Sequence, residues 1–238
     1  MLFVTNRSWL RNAAVVVSIA GAGCASHGVT PVGQPVPDAA ALEASLRAAT
    51  VPESPRQATF SWSFDEAGST VRGRGVVRYV APHRLRLDLF GARGETYLAA
   101  ALDGDEFRLP PNAVGSIPLP SPSLLWSALG VLRPPTGADL DRAARDGPSI
   151  WLTYLLGNGQ VVRFRVEEGP HPRVTRSELS EGGTIIETVE IAYGTDGNVQ
   201  RAVYQDRKAY RELVLETEGL QEVAEFPESV WRPDVPLP

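Results

Sequence analysis

From residue 58 onward, apolar side chains recur at every second position between short turn-forming clusters. Ala58, Phe60, Trp62 and Phe64 alternate with Thr59, Ser61 and Ser63, and Leu85, Leu87 and Leu89 alternate with Arg84, Arg86 and Asp88. Successive side chains of a strand point to opposite faces, so each run describes a strand with one buried and one polar face. Asp103-Gly104 and Asn158-Gly159 are two-residue hairpin signals, and Gly182-Gly183 and Asp196-Gly197-Asn198 punctuate later runs. Strands are expected over 58–64, 70–80, 84–89, 95–102, 106–109, 150–156, 160–166, 173–179, 184–193, 199–205 and 209–218. The class is mainly β (α+β), with about eleven meandering antiparallel strands. Gly73 and Gly75 share a face of the second strand, which marks a bend or a close backbone approach.

Two segments break this pattern. Asp38 is a good N-cap for the helix AAALEASLRAA, whose Ala39, Leu42, Leu46 and Ala49 share one face, and Pro52 and Pro55 stop it. Between the fifth and sixth strands, Ser121 is placed to cap a second helix with Pro122 at its first position, followed by SLLWSALGVL. Leu125, Trp126, Leu129 and Leu132 make that helix apolar nearly all round. Residues 139–145 are expected to add another helical turn or two.

The first 23 residues differ in kind. Arg7 and Arg11 precede an apolar, uncharged run over 13–23. About eleven residues give roughly 16 Å of helix, well short of the ~30 Å hydrocarbon core of a bilayer. A charged start, a short apolar core and small residues at its end describe a signal peptide, residues 1–23. Gly21-Ala22-Gly23-Cys24 resembles the lipobox of bacterial lipoproteins, with Gly21 where leucine is usual. The resemblance implies cleavage before Cys24 and diacylglycerol on its thiol. The alternative is cleavage after Ala22, which would release a soluble periplasmic protein. Residues 24–37, rich in Pro and Gly, read as the lipidated cysteine and a flexible tether, and 38–238 as the folded domain.

Charge and chemistry narrow the function further. The chain carries 23 basic and 28 acidic residues, a formal charge of −5. Losing residues 1–23 removes two arginines and no acids, taking it to −7. A nucleic-acid partner is therefore not expected. One cysteine excludes an intramolecular disulfide framework and a cysteine-cluster metal site. His27 lies in the tether, and His83 and His171 lie beside prolines in turns. No G-x-S-x-G, Walker, H-E-x-x-H or EF-hand pattern occurs. Glu167-Glu168 and Asp103/Asp105 fall in hairpin turns, where charge is expected without catalysis. The chain is thus read as a non-enzyme with no cofactor and no metal. The pairs Arg72/Arg74, Arg84/Arg86 and Arg163/Arg165 each line one sheet face, expected to be solvated, the alternative being a rim that meets anionic lipid headgroups or an acidic partner.

The layout as a whole resembles the LolA/LolB family of lipoprotein-sorting carriers and receptors: a lipidated cysteine, a tether, a helix, meandering strands, an apolar helical insertion and more strands. The segment GVVRYVAPHRLRLDLFG at 75–91 is similar to that family's second and third strands, and Leu102-Asp103-Gly104-Asp105 to its hairpin. The resemblance implies an eleven-stranded half-open barrel, with helices on the concave side over an apolar cavity for acyl chains. Candidate cavity residues are Phe60, Trp62, Phe64, Leu85, Leu87, Leu89, Leu125, Trp126, Leu129, Ile150, Leu152 and Tyr154. Each is equally readable as cavity wall or packed core, and the Leu/Trp helix as movable plug or fixed core. Two functions follow. One is an outer-membrane lipoprotein that binds acyl chains of lipids or lipoproteins. The other is a non-catalytic interaction lipoprotein with a filled core that docks on an envelope partner. Ala25 after the cysteine favours the outer membrane by analogy.

Overall fold

The computed structural model describes residues 33–110 and 117–234. Thirteen strands form one antiparallel sheet: β1 (Gln34–Pro35), β2 (Arg56–Glu66), β3 (Ser69–Val80), β4 (Arg84–Gly91), β5 (Thr96–Asp103), β6 (Glu106–Arg108), β7 (Asp139–Asp146), β8 (Ser149–Leu155), β9 (Gln160–Glu167), β10 (Arg173–Glu181), β11 (Thr184–Tyr193), β12 (Val199–Asp206) and β13 (Arg211–Glu222). Their order is β1-β7-β8-β9-β10-β11-β12-β13-β2-β3-β4-β5-β6. Two meanders, β2 to β6 and β7 to β13, are thus joined where the last strand pairs with β2. The short strands β1 and β6 end the sheet without pairing to each other, so the barrel is half open. Expected and observed class agree; the strand count does not.

The two additional strands have a common cause. Residues 139–145 were expected to be helical, since DLDRAAR has no β-branched residue and spaces Leu140, Ala143 and Ala144 as a helix would. They form β7 instead, because pairing with β8 buries Ala143 and Ala144. Tertiary burial overrides a weak local preference here. Gly147, at φ +58°, turns the chain between β7 and β8. Strand β1 then pairs with β7 inside the segment expected to be tether, with Gln34 opposite Arg145 and Pro35 opposite Ala144. Pro35 lacks an N–H to donate, which suits an outermost strand. Cys24, the signal segment and tether residues 25–32 lie outside the described residues.

Alternation places Ala58, Phe60, Trp62 and Phe64 of β2 on the inner face, with Val77 and Tyr79 of β3 and Leu85, Leu87 and Leu89 of β4. From the second meander, Ile150, Leu152 and Tyr154 of β8 and Val162, Phe164 and Val166 of β9 join the same core. Gly73 and Gly75 sit where backbones and rings approach closely. A Cβ at Gly73 would lie 1.9 Å from the Phe90 carbonyl oxygen, and one at Gly75 would lie 2.4 Å from the Phe60 ring. Through this gap the Trp62 indole N–H reaches the carbonyls of Arg74 and Phe90, at 3.0 and 3.1 Å.

Helix α1 (Ala39–Thr50) starts as expected, the Asp38 carboxylate accepting from the Ala41 N–H at 3.2 Å, and it buries Leu46. Helix α2 (Pro122–Ser127) is shorter than the apolar run suggested. Gly130, at φ +79°, bends the chain away, while the N–H groups of Ala128 and Val131 satisfy the Leu124 and Trp126 carbonyls. Ser121 stands at the N-cap position but does not cap, and its buried hydroxyl has no partner. Its backbone N–H instead donates to Glu187 of β11 at 3.3 Å. Leu124 and Trp126 are fully enclosed and Leu125 is buried, with α2 packed over β10 and β11.

The outer face is not uniformly polar. Strands β4 and β5 are buried on both sides, because a C-terminal 3-10 turn (Glu228–Trp231) covers Ala99, Ala101, Arg86 and Asp88. Of the arginine pair expected in solvent, Arg84 stays at the surface with Glu228, whereas Arg86 is buried. Arg163 is also largely covered, stacked over Trp151 and bonded to the buried Glu178 at 2.7 Å.

Candidate ligand cavity

A cavity of about 670 Å³ opens at one end of the half-barrel, between the inner face of the sheet and the two helices. Its size falls within the ~300–1,000 Å³ usual for small-ligand sites. The space arises from side-chain size. On β2, Trp62 and Phe64 fill the distant end, while Ala58, on the same face nearer the mouth, leaves room. On β12, Tyr204 gives way in the same manner to Ala202. Ala128 keeps the roof thin where the chain leaves α2.

Three parts of the chain make the walls. The floor is Ala58, Phe60, Val77, Leu87 and Ala202, with Leu215 and Leu220 of β13 toward solvent. The roof is the end of α1, residues 49–52, together with Leu125, Ala128 and Leu129. These two parts of the roof are tied together, the Leu132 N–H donating to the Thr50 hydroxyl at 3.1 Å. The rim is polar, with Arg56 at the start of β2, His171 and Arg173 at the turn into β10, and Asp196 and Asn198 at the turn into β12.

The rim's electrostatics follow from burial and local bonding. Arg56 Nη2 lies 3.2 Å from Glu222, while its Nε is buried without a partner. Arg173 lies over the Tyr193 ring, its guanidinium carbon 5.2 Å from the centroid. Burial pushes the Tyr193 phenol well above its ordinary range, and the phenol keeps its proton while donating to the Val174 carbonyl at 2.9 Å. Burial also raises Tyr79, against the partial opposition of neighbouring Arg56. Hydrogen bonds from Asn198 hold the Asp196 carboxyl below its usual range. This arrangement suits an elongated apolar body with a polar end at the mouth. Among the described residues no group of three or more His, Cys, Asp or Glu side chains could hold a metal ion.

The twelve residues expected to line a cavity divide between wall and core. Phe60, Leu87, Leu125 and Leu129 lie at the wall. Trp62, Phe64, Leu85, Leu89, Ile150 and Leu152 are buried in the packed core. Tyr154 is held elsewhere, donating to Glu43 of α1 at 3.0 Å and edge-on to Phe164. Trp126 lies one layer behind the wall, edge-on to Tyr79 at 6.3 Å, with Tyr79 itself at the wall. Tyr79, Tyr193 and the small residues Ala58 and Ala202 were missed. The change from aromatic to alanine along β2 is the signal that could have located the hollow end.

No known protein-family profile matches the chain, and no curated protein matches it in sequence. Solved structures do resemble it. A LolA superfamily protein from Nitrosomonas europaea superposes with a TM-score of 0.55 at 15% identity, over 79% of this chain and 96% of that one. A Vibrio parahaemolyticus domain described as an outer membrane lipoprotein-sorting protein gives 0.53 at 13% identity, over 80% and 94%. A DUF1329 family protein from Desulfovibrio piger gives 0.54 at 12% identity, over 84% and 98%. Superposition over nearly the whole of each of these proteins, with an open antiparallel sheet and helices above its inner face, identifies the architecture: this chain has the LolA/LolB-like fold.

Proposed function

We propose that this chain is a lipid-anchored envelope protein that binds acyl chains, of lipids or of lipoproteins, in the cavity beneath α1 and α2. The observation that carries the reading is the hollow end of an otherwise close-packed barrel, whose floor and roof are mainly apolar and whose charged groups lie at its rim. Burying several methylenes there contributes a few kcal/mol at ~25 cal/mol per Å², enough for micromolar binding once association costs are met. The likeness to a domain described as lipoprotein-sorting supports the same class of cargo. Anchoring is assigned to acylated Cys24, with outer-membrane placement favoured by Ala25. A single acyl chain binds membranes marginally, whereas the three of a mature lipoprotein hold firmly.

The test uses the delipidated Cys24→Ser chain and a fluorescent fatty acid. Saturable binding is expected, weakened at least about tenfold by Leu129→Arg, which puts a charge on a half-exposed wall position. Absence of saturable binding in the folded protein would sink the reading. It would leave the second one, an interaction lipoprotein, which the dense packing of Trp126, Ile150 and Leu152 favours. Intact mass of protein extracted from membranes checks the anchor, and an unmodified thiol on Cys24 would refute it.

A further inference from the structure

The cavity mouth holds two guanidinium groups whose hydrogen-bonding capacity the protein uses only in part. Arg173 is half-buried at the start of β10 and stacks on Tyr193. Among the described residues its side chain makes no hydrogen bond and no ion pair, and Asp196 acts on it only by longer-range attraction, so its N–H donors at the mouth are without direct acceptors. Arg56 enters from the first residue of β2. Its guanidinium meets Glu222 through a terminal nitrogen and also bonds the Tyr79 phenol, but its Nε is buried with no acceptor. A guanidinium offers five N–H donors in a planar fork, and a buried donor without an acceptor is costly to keep.

The carboxylates nearby take up only part of this capacity. Glu222 is engaged by Arg56. Asp196 faces solvent, accepts from the backbone N–H and the side-chain amide of Asn198, both at 3.0 Å, and attracts Arg173 without a direct bond to it. Glu53 is exposed on the segment after α1. What is left over at the mouth is a set of N–H donors, the Arg56 Nε and the Arg173 guanidinium, that an occupant's acceptors can meet.

Resting on the acyl-binding reading above, we propose that the occupant is an amphiphile with an anionic headgroup, a phosphate or a carboxylate, held at the mouth by Arg56 and Arg173. Its apolar part lies against Phe60, Leu87 and Leu129. Planar, bidentate recognition of oxyanions is the task for which arginine is suited over lysine.

The test compares four ligands sharing one hexadecyl-length chain, with the delipidated Cys24→Ser chain: hexadecyl phosphate, palmitate, hexadecanol and hexadecyltrimethylammonium. The two anions are expected to bind at least about tenfold more tightly than the alcohol, with the advantage shrinking as salt is added. The stronger of the two identifies the head, and equal strength supports the shared chemistry. Arg173→Gln and Arg56→Gln should each reduce the anions' advantage while leaving hexadecanol within about twofold of its original affinity. Arg173 has no structural ion pair to lose, so its variant carries the test if Arg56→Gln fails to fold. Hexadecanol binding as tightly as the anions, or the ammonium binding best, overturns the headgroup assignment and leaves acyl binding intact. Failure of all four ligands to bind overturns both.

Discussion

The Arg86 guanidinium and the Asp88 carboxylate, two residues apart on β4, approach to 2.9 Å with each side chain only 3% exposed. Arg86 also donates to the carbonyls of Val230 and Arg232, at 3.1 and 2.8 Å, and Arg78 reaches Asp88 at 3.3 Å. This outer-face pair therefore docks the C-terminal turn on the sheet. Removing one partner strands the other's charge in a covered site. Asp88→Ala is expected to destabilise the fold by roughly 3–5 kcal/mol and to release Trp231 to solvent. Urea unfolding and Trp231 emission check this, and an unchanged midpoint would refute it.

Glu187 should weaken the fold at neutral pH. Burial is the main cause that raises its carboxyl, with Asp206 adding to it and the Ser121 N–H opposing it. The folded state thus holds the Glu187 proton more tightly than the unfolded chain, whose glutamates titrate near ~4.3. Its contribution is most favourable below that value and is lost as pH rises through the raised folded value. Glu187→Gln keeps an acceptor for Ser121 and should raise Tm at pH 7. The gain should fade toward pH 4. A gain that grows on acidification would contradict the assignment.

Trp126 separates packing from ligand contact. Its indole nitrogen is buried without a partner, so Trp126→Phe removes an unsatisfied donor along with some volume. It should cost far less than Trp126→Ala, for which roughly 3–5 kcal/mol is expected. Acyl ligands should perturb Trp126 emission only through Tyr79, more weakly than if the indole lined the wall. Equal losses for the two variants in thermal unfolding would argue against this account.

Gly73→Ala tests the close approach of β3 to β4. The new Cβ would fall on the Phe90 carbonyl oxygen, which already accepts from Trp62. A loss of about 1–3 kcal/mol from overpacking is expected, with a shift in Trp62 emission as its hydrogen bond opens. Gly94→Ala, with open space around the glycine, should leave Trp62 emission unchanged even though its φ of +85° adds strain.

How much of this was legible depended on which physical signal each feature rests on. Alternation from Ala58 to Phe64 placed β2 and its inner face, because period two follows from strand geometry alone. Strand β7 was hidden, since its residues carry helical spacing and its state is decided by the neighbouring β8. Arg86 and Arg163 read as solvated because nothing local announces the C-terminal turn or the Trp151–Glu178 cluster that covers them. Alternation also says which side chains point inward but not whether they meet. Phe60 and Trp62 are alike in sequence, yet one faces a hollow and the other is packed and bonded to two carbonyls. The rim arginines were invisible for a related reason: Arg56 and Arg173 are brought to one mouth only by the curvature of the sheet.

The pairing of β13 with β2 has a kinetic side. Eleven residue pairs link 56–66 to 211–222, so the aromatic row of β2 gains its second neighbour only after almost the whole chain is available. Contacts this distant in sequence slow folding and keep a strand edge open in the meantime. Until the C-terminal strand arrives, the first meander is a five-stranded sheet with its most aromatic strand on the outside, an arrangement prone to pair with a second copy. A chain cut short before residue 211 would consequently be expected to aggregate rather than to form a smaller barrel.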